Sequence, residues 1–216
     1  MLNLKNDIPG WMSTNDLYVL AKIASLVPNN TNILEIGSFL GRSTYTIFLN
    51  KPLDVSMTVV DTFKICRGYY LDNSDLLIDD PNCSIDKLNK SIEVSRKENS
   101  WRAGFESCIG KEIYDQLEVH ITDSKNFTVN KKYSLVFLDG SHAFDDVIYD
   151  LIKYNDTETL LVGDDFGRKH HGVASALSVF GHISKRSLVV LGGTKIWISI
   201  PISGYWNTNL NLLNNL

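Results

Sequence analysis

The sequence predicts an α/β protein built on an open, mostly parallel sheet. Short apolar runs alternate with stretches of helical periodicity over most of the 216 residues. Several of these runs end in an aspartate, and the last two flank the turn Gly192-Gly193. Five strand–helix units followed by a hairpin predict a seven-stranded sheet with an antiparallel C-terminal hairpin.

The first strand and the turn after it are the part on which the other elements are organised. The apolar run Ile33–Ile36 is typical of a buried parallel strand, Gly37 and Gly41 bracket a tight turn, and a helix can begin at Arg42. Such a turn brings backbone N–H groups and the positive end of a helix to the carboxyl edge of the sheet. The pattern Glu-x-Gly-x-x-x-Gly, beginning at Glu35, differs from the Gly-x-Gly-x-x-Gly of dinucleotide sites. The turn therefore predicts a ligand site that is not a typical dinucleotide site.

The remaining elements follow in order. A helix with a capping box from Ser13 to Asp16 precedes the first strand. An insertion at about 64–100 breaks the alternation. The part before residue 84 is either a substrate lid or a plain surface loop, and two amphipathic helices are predicted after that part. Regular alternation then returns. Beyond the first unit, the predicted strands are 56–61, 117–121, 133–139, 159–165, 187–191 and 195–200, and the helices after the fourth and fifth strands cover 144–151 and 173–180.

Composition limits the classes of partner and location. The chain is 44% hydrophobic and 21% charged, as in ordinary globular proteins, and its net charge of −4 gives no reason to expect nucleic acid or an anionic membrane as a partner. No apolar run approaches the ~20 residues that span a bilayer. Three cysteines without CxxC spacing predict reduced thiols and a cytoplasmic protein.

Acidic residues stand at the predicted carboxyl ends of the strands. Asp61, Asp123, Asp139 and the pair Asp164-Asp165 each end or follow an apolar run. In open α/β sheets, ligands bind beyond these ends, near the point where the strand order reverses. The acids are therefore predicted to meet at one site.

Three sequence blocks together resemble class I S-adenosylmethionine-dependent methyltransferases. They are Glu35-Ile-Gly-Ser-Phe-Leu-Gly41, the acid Asp61, and Phe137-Leu-Asp-Gly-Ser-His142 ahead of Asp164-Asp165. Within that class the chain resembles the small O-methyltransferase-like group with Asp-Gly-Ser-His after strand four, which includes macrocin-type sugar methyltransferases and, more distantly, catechol-type enzymes. The resemblance covers about residues 10–200 and is weakest in the insertion. It implies a Rossmann-like, doubly wound fold and a single methyltransferase domain over 1–216.

The resemblance implies that S-adenosylmethionine binds along the strand ends. The turn amides would hold its amino-acid end, Asp61 its ribose hydroxyls, and Asp123, or the backbone beside Ser124, its adenine. Each of these predictions has an alternative. The glycines can belong to an ordinary strand–helix turn, Asp61 can be a solvated strand end, and Glu35 can serve only to accept hydrogen bonds from backbone amides of the turn. The predicted cofactor-binding residues are Glu35, Gly37, Ser38, Gly41, Ser43, Thr44, Asp61, Asp123, Ser124 and Asp139.

The resemblance also implies a catalytic group and a metal. Catechol-type relatives hold a metal on an acid after strand four and an Asp-Asn pair after strand five, which correspond here to Asp139 and Asp164-Asp165. Oxygen ligands of this kind suit Mg²⁺. His142 stands where those relatives have a lysine base, and imidazole groups titrate near neutral pH. Asp139 and His142 are thus the predicted catalytic residues; the alternatives are helix capping, packing or cofactor contact without a metal.

The predicted function is O-methylation of a small hydroxylated acceptor such as a sugar, with or without Mg²⁺. Two alternatives stay open: another enzyme of the same cofactor fold, such as an aminopropyltransferase, and a cofactor-binding protein without turnover. The expected partner is a small-molecule acceptor, and a homo-oligomer is compatible with the resemblance. No motif identifies the acceptor.

Overall fold

The computed structural model describes residues 2–65, 83–167 and 169–213. Seven strands form one sheet: β1 Asn32–Ile36, β2 Ser56–Asp61, β3 Glu118–Ile121, β4 Leu135–Leu138, β5 Leu160–Gly163, β6 Ser187–Val190 and β7 Trp197–Ile200. Their order is β3-β2-β1-β4-β5-β7-β6. The first five strands run parallel to one another. Strand β7 runs antiparallel to both β5 and β6. The predicted fold class and the C-terminal hairpin are confirmed.

Helices precede the first strand, stand between most of the others and follow the last. Among the described residues they are α1 Thr14–Ser25, α2 Arg42–Asn50, α3 Ile85–Glu98, α4 Trp101–Ile109, α5 Lys111–Tyr114, α6 Phe144–Lys153, α7 His171–Ser184, α8 Gly204–Thr208 and α9 Leu210–Leu213. The predicted capping box is present, because Ser13 accepts from the Asp16 amide and Asp16 accepts from the Ser13 amide. None of these helices is long and apolar enough to cross a membrane.

Two apolar cores lie on opposite faces of the sheet. Ile33 packs with residues of α1, α3 and α4, whereas its neighbour Leu34 packs with residues of α6 and α7. Successive strand side chains point to opposite faces, so a sheet covered on both sides needs strands that are apolar throughout. This burial explains the uninterrupted apolar runs. Those runs also overestimate strand length: Tyr133 and Ile196 are buried in the core but lie outside the strands.

The second half of the predicted insertion belongs to the core. The two predicted amphipathic helices are present as α3 and α4, which pack against each other, and Leu88 and Phe105 are fully buried. Most of the predicted lid, residues 66–82, lies outside the described residues, and so does Cys66. Cys108 is a buried free thiol, as the sequence predicts, and Cys83 is also buried.

Candidate functional site

A cavity of about 480 Å³ opens at the carboxyl edge of the parallel strands. It is lined by the residues that follow β1, β2, β3, β4 and β5, and closed at the sides by Gly10–Met12, Trp101 and Lys195. Its centre lies where β1 and β4 are neighbours, which is the point at which the strand order reverses. The volume is within the roughly 300–1,000 Å³ typical of small-ligand sites. The predicted position of the site is therefore matched by a cavity.

Asp61 joins the end of β2 to the turn after β1. Its Oδ2 accepts hydrogen bonds from the amides of Ser38 at 2.8 Å and Phe39 at 2.9 Å, and its Oδ1 accepts from the Phe63 amide at 2.7 Å. The Ser38 hydroxyl also donates to Oδ2, at 3.4 Å. Each carboxylate oxygen has about two acceptor positions, and Oδ1 takes only the Phe63 amide, so one position on Oδ1 is left. Asp61 lines the cavity as predicted.

The turn amides donate to acceptors within the protein. The Ser38 and Phe39 amides are used by Asp61, the Gly37 amide donates to the Val60 carbonyl at 2.9 Å, and the Gly41 amide donates to the Ser38 carbonyl at 2.7 Å. These four amides are therefore paired within the protein, and the binding of a ligand's amino-acid end by the turn stays a prediction. Ser38 itself lines the cavity.

Gly37 and Gly41 are required by packing within the protein rather than by the approach of a ligand. Both have positive φ, +84° and +88°. A Cβ on Gly37 would lie 2.3 Å from the Asp139 carbonyl oxygen, and one on Gly41 would lie 2.4 Å from a methyl group of Ile109. Side chains at these positions would displace the chain after β4 and helix α4. Packing within the protein therefore accounts for glycine at both positions.

Glu35, Ser43 and Thr44 form a buried group beneath the turn. Glu35 accepts hydrogen bonds from Ser43 Oγ and Thr44 Oγ1, both at 2.5 Å. Burial raises the pKa of Glu35 to about 7, against the lowering effect of the two hydroxyl groups. Glu35 and Thr44 are fully buried and are not among the lining residues of the cavity, so their role as cofactor contacts stays a prediction. Only Ser43 reaches the cavity wall.

Asp123 and Ser124 line the cavity beyond β3, where adenine contacts are predicted. Asp123 Oδ1 accepts from the Lys125 amide at 2.9 Å. Asp150, on α6, lines the same region; it is 7% exposed, and its Oδ1 has no hydrogen-bond partner among the described residues. Burial raises the pKa of Asp150 to about 6. The sequence analysis missed Asp150 because its position within a helix carried no motif.

Asp139, Asp164 and Asp165 come together at the ends of β4 and β5. Each offers a carboxylate oxygen, and these oxygens all lie within 4.8 Å of one another, so the group could hold a metal ion. The Lys195 ammonium, however, lies 2.9 Å from Asp164 Oδ2 and 2.8 Å from Asp165 Oδ1. The three acids meet as predicted, and the Lys195 ammonium uses one oxygen of Asp164 and one of Asp165, where its charge opposes a divalent ion. Asp164 Oδ1 is buried and has no hydrogen-bond partner among the described residues.

Burial and neighbouring charges shift the pKa values of these three carboxyl groups in different directions. Burial raises the pKa of Asp139 well above its usual value, and the charges of Asp164 and Asp165 raise it further. Burial also raises the pKa of Asp164, to about 6, although Lys195 acts in the opposite direction. For Asp165 the effect of burial is outweighed by hydrogen bonds from His142 and Lys195, which lower the pKa below its usual value. Asp165 is thus the permanent anion of the group.

His142 pairs with Asp165. The distance from His142 Nε2 to Asp165 Oδ2 is 2.7 Å, and the ring centroid of His170 lies 4.1 Å from that of His142. Asp165 has a positive φ of 63°, an uncommon conformation that directs its side chain back across the site. A carboxylate bound to one imidazole nitrogen orients the ring and stabilises its protonated form. The sequence analysis identified both residues but assigned Asp165 to a metal and did not predict their pairing.

Two further features of the wall were not predicted. Lys195 was predicted only as the first residue of the last strand, 195–200, and carried no functional signal; the strand begins at Trp197. Phe39 stacks on Trp11 with ring centroids 5.2 Å apart and meets the edge of Trp101 at 5.0 Å. Trp11 is 44% exposed and lines the cavity.

The described cavity lining is rich in carboxyl groups. It includes seven aspartates and four basic residues, which gives an excess of three carboxyl groups. Such a lining favours a ligand that carries positive charge. The aspartates are Asp61, Asp123, Asp139, Asp146, Asp150, Asp164 and Asp165, and the basic residues are Arg42, Lys64, Lys125 and Lys195.

Neither a protein-family model nor a curated protein matches the sequence, whereas solved structures match most of the chain. Cofactor-bound Rv0187 from MTB is 11% identical, covers 92% of this chain and 85% of its own, and has a TM-score of 0.58. Precorrin-6y C5,15-methyltransferase from Geobacter metallireducens is 7% identical, covers 92% of both chains and has a TM-score of 0.57. An O-methyltransferase from Bacillus cereus in complex with SAH is 15% identical, covers 88% of this chain and 81% of its own, and has a TM-score of 0.52. The chain therefore has the Rossmann-like fold of these proteins.

Proposed function

We propose that this protein is an S-adenosylmethionine-dependent methyltransferase that methylates a hydroxyl group of a small acceptor such as a sugar. The observation that carries the proposal is a single cavity with Asp61 at one end and the pair His142–Asp165 at the other. Methyl transfer needs both ends: one to hold the donor and one to position and deprotonate the acceptor. The names of the structural neighbours, several of them methyltransferases, support the same class.

The cavity suits the chemistry of this cofactor. S-adenosylmethionine carries a sulfonium and an ammonium, and the acidic lining favours both charges. Asp61 would accept a ribose hydroxyl, and Asp123 or the backbone beside Ser124 would contact adenine. Arg42, which lines the cavity and donates to the Gly10 carbonyl at 3.0 Å, places a permanent positive charge in the cavity wall. That charge favours a ligand carboxylate nearby.

The chain's own residues would handle the acceptor proton. S-adenosylmethionine, when bound, supplies a methyl group that is already activated for displacement. As the acceptor oxygen bonds to the methyl carbon and the carbon–sulfur bond breaks, His142 would take the hydroxyl proton on Nδ1, because Nε2 faces Asp165. Asp165 would stabilise the resulting imidazolium, and the electron pair of the broken bond leaves with the sulfur.

Magnesium assistance stays a prediction from the resemblance. The convergence of Asp139, Asp164 and Asp165 supports it, and the contacts of Lys195 oppose it. The sugar acceptor, the homo-oligomer and the cytoplasmic location likewise stay predictions.

Calorimetry with S-adenosylmethionine and with S-adenosylhomocysteine tests the donor end. We expect both to bind the wild type and Asp61→Asn to bind roughly tenfold more weakly, because a hydrogen bond to a charged acceptor contributes about 1.5–3 kcal/mol. Asp54→Asn is the matched control, since Asp54 is exposed and outside the cavity lining. Absence of binding by the wild type would refute the proposal. Preference for decarboxylated S-adenosylmethionine would favour an aminopropyltransferase.

Turnover tests the acceptor end. A panel of glycosides and sugar nucleotides is incubated with the labelled methyl donor, and transfer is measured by product radioactivity. His142→Ala should keep cofactor affinity and lose roughly 10²–10⁴-fold in rate, the usual contribution of a general base. His182→Ala, an exposed position on α7, should leave the rate unchanged. Weaker cofactor binding with an unchanged rate in His142→Ala would overturn the assigned role.

A further inference from the structure

We infer that the ammonium group of Lys195 takes the place of a divalent cation among Asp139, Asp164 and Asp165, so that the site carries its own positive charge. The charge balance of the acids is independent of any reaction. The part that concerns the acceptor rests on the proposed function.

The geometry at Lys195 is that of an ion held by two ligands. Its Nζ lies 2.9 Å from Asp164 Oδ2 and 2.8 Å from Asp165 Oδ1, the usual lengths of charge-assisted hydrogen bonds. The side chains of the two acids are 3% and 13% exposed and that of Lys195 is 36% exposed, so solvent reaches the ammonium more than the carboxylates. Burial would lower the pKa of Lys195, but the two carboxylates outweigh it and raise the pKa above its usual value. The ammonium is therefore charged at any physiological pH.

The backbone of Lys195 is fixed by two distant parts of the chain. Its amide donates to Asp16 Oδ1 at 2.9 Å, and its carbonyl accepts from the Phe166 amide at 3.0 Å. Asp16 is 1% exposed and sits in the first turn of α1, and the next residue, Ile196, is fully buried. Lys195 is thus held at the site from both sides, unlike a surface lysine that folds onto nearby acids.

The ammonium already uses one oxygen of Asp164 and one of Asp165, two of the three acids that could hold a divalent ion. Mg²⁺ prefers near-octahedral oxygen ligands at about 2.0–2.1 Å. To bind Asp164 Oδ2 and Asp165 Oδ1 it would have to displace the ammonium, and the fixed backbone keeps Lys195 nearby. Like charges at such short distances repel strongly where solvent is largely excluded.

The position of Lys195 also serves the acceptor. His142 and Lys195 contact the two oxygens of one carboxylate, that of Asp165, and both line the cavity. An ammonium has three N–H donors, and the two acids use two of them. The third can donate to the acceptor oxygen while His142 removes its proton. Lys195 would then stabilise the charge that develops on this oxygen. In the metal-dependent enzymes that the sequence resembles, this role belongs to Mg²⁺.

The test compares Mn²⁺ binding to the wild type and to Lys195→Met, measured by the loss of the free-ion electron paramagnetic resonance signal. Methionine keeps much of the stem and removes the charge. We expect the variant to bind Mn²⁺ roughly tenfold or more tightly than the wild type, because even a well-screened unit charge a few ångströms from a divalent ion has an effect of that size. Lys64→Met, which removes a lysine from another part of the cavity wall, should bind like the wild type.

A second measurement, with a second variant, tests the inference if Lys195→Met folds poorly. Mn²⁺ should raise the thermal midpoint of Lys195→Met and of Lys195→Gln, but not that of the wild type, because ligand binding stabilises the folded state. Equal Mn²⁺ affinity in wild type and variant, whether strong or absent, overturns the inference. So does wild-type Mn²⁺ binding that Asp139→Asn abolishes.

Cofactor calorimetry on the wild type in EDTA separates the two proposals. Binding under these conditions agrees with both. Lack of cofactor binding together with Mn²⁺ binding by Lys195→Met would refute the methyltransferase and leave the replacement of a cation by Lys195 intact. Cofactor binding that is lost only in EDTA would overturn the inference and leave the methyltransferase intact.

Discussion

The buried carboxyl of Glu35 makes the stability of the protein depend on pH in a predictable direction. Glu35 lies beneath the turn between β1 and α2 and accepts hydrogen bonds from Ser43 and Thr44. Burial raises its pKa from the usual 4.5 to about 7. The folded protein therefore holds this proton more tightly than the unfolded chain does. Its stabilising contribution is complete below about pH 4.5 and is lost as the pH rises through about 7.

The magnitude follows from the same two values. A difference of about 2.5 pKa units at about 1.4 kcal/mol per unit corresponds to about 3 kcal/mol between the protonated and ionised limits. Glutamine has nearly the same shape and does not titrate. The free energy of unfolding of Glu35→Gln minus that of the wild type should therefore increase by up to about 3 kcal/mol from pH 5 to pH 8.

Urea unfolding of both proteins at half-unit steps from pH 5 to pH 8 measures this difference. Comparing the two proteins removes the contributions of every other titrating group that they share. Glu112→Gln, an exposed substitution on α5, is the matched control and should differ from the wild type by a constant amount. A difference for Glu35→Gln that is flat over this range, or that decreases with pH, would refute the reasoning about the buried carboxyl.

Two further predictions concern the framework of the site. Gly37→Ala should lower the free energy of unfolding, measured by denaturant titration, by about 3 kcal/mol or more, because its Cβ would lie 2.3 Å from the Asp139 carbonyl oxygen. Gly193 has φ +75° but open space around it, so Gly193→Ala should lower the free energy of unfolding by only about 1 kcal/mol. Similar losses for the two variants would contradict the packing argument. Asp16→Ala should lower the free energy of unfolding by about 2 kcal/mol, since it removes the capping box and the acceptor of the Lys195 amide. It should also speed hydrogen exchange at the Lys195 amide, and unchanged exchange there would contradict the anchoring of Lys195.

Local sequence patterns predicted the framework well. The apolar runs and helical periodicity identified the strands of the sheet, α3 and α4, because burial on both faces of a sheet leaves a direct mark on composition. The acids at the strand ends could be brought to one edge by the topology of parallel strands alone, without any knowledge of side-chain contacts. Asp61, Asp123, Asp139 and Asp164 accordingly line the cavity where the sequence placed them.

Partnerships between side chains were not predictable in this way. The turn glycines look the same in sequence whether their missing side chains face a ligand or neighbouring protein, and only the packing of Ile109 against Gly41 distinguishes these cases. The acids likewise look the same whether they hold Mg²⁺ or an ammonium. The contact between Asp16 and Lys195 spans 179 residues and has no local signature.

The sequence by itself determined the α/β architecture, the edge of the sheet at which a ligand can bind, and the acidic character of that edge, because each follows from periodicity and from the direction of parallel strands. Only the tertiary structure decided which neighbour satisfies each charge: the turn amides for Asp61, His142 for Asp165, and Lys195 for the two acids after β5. Such pairings depend on distances of a few ångströms between residues far apart in the chain, and those distances are set by the packing of the whole domain.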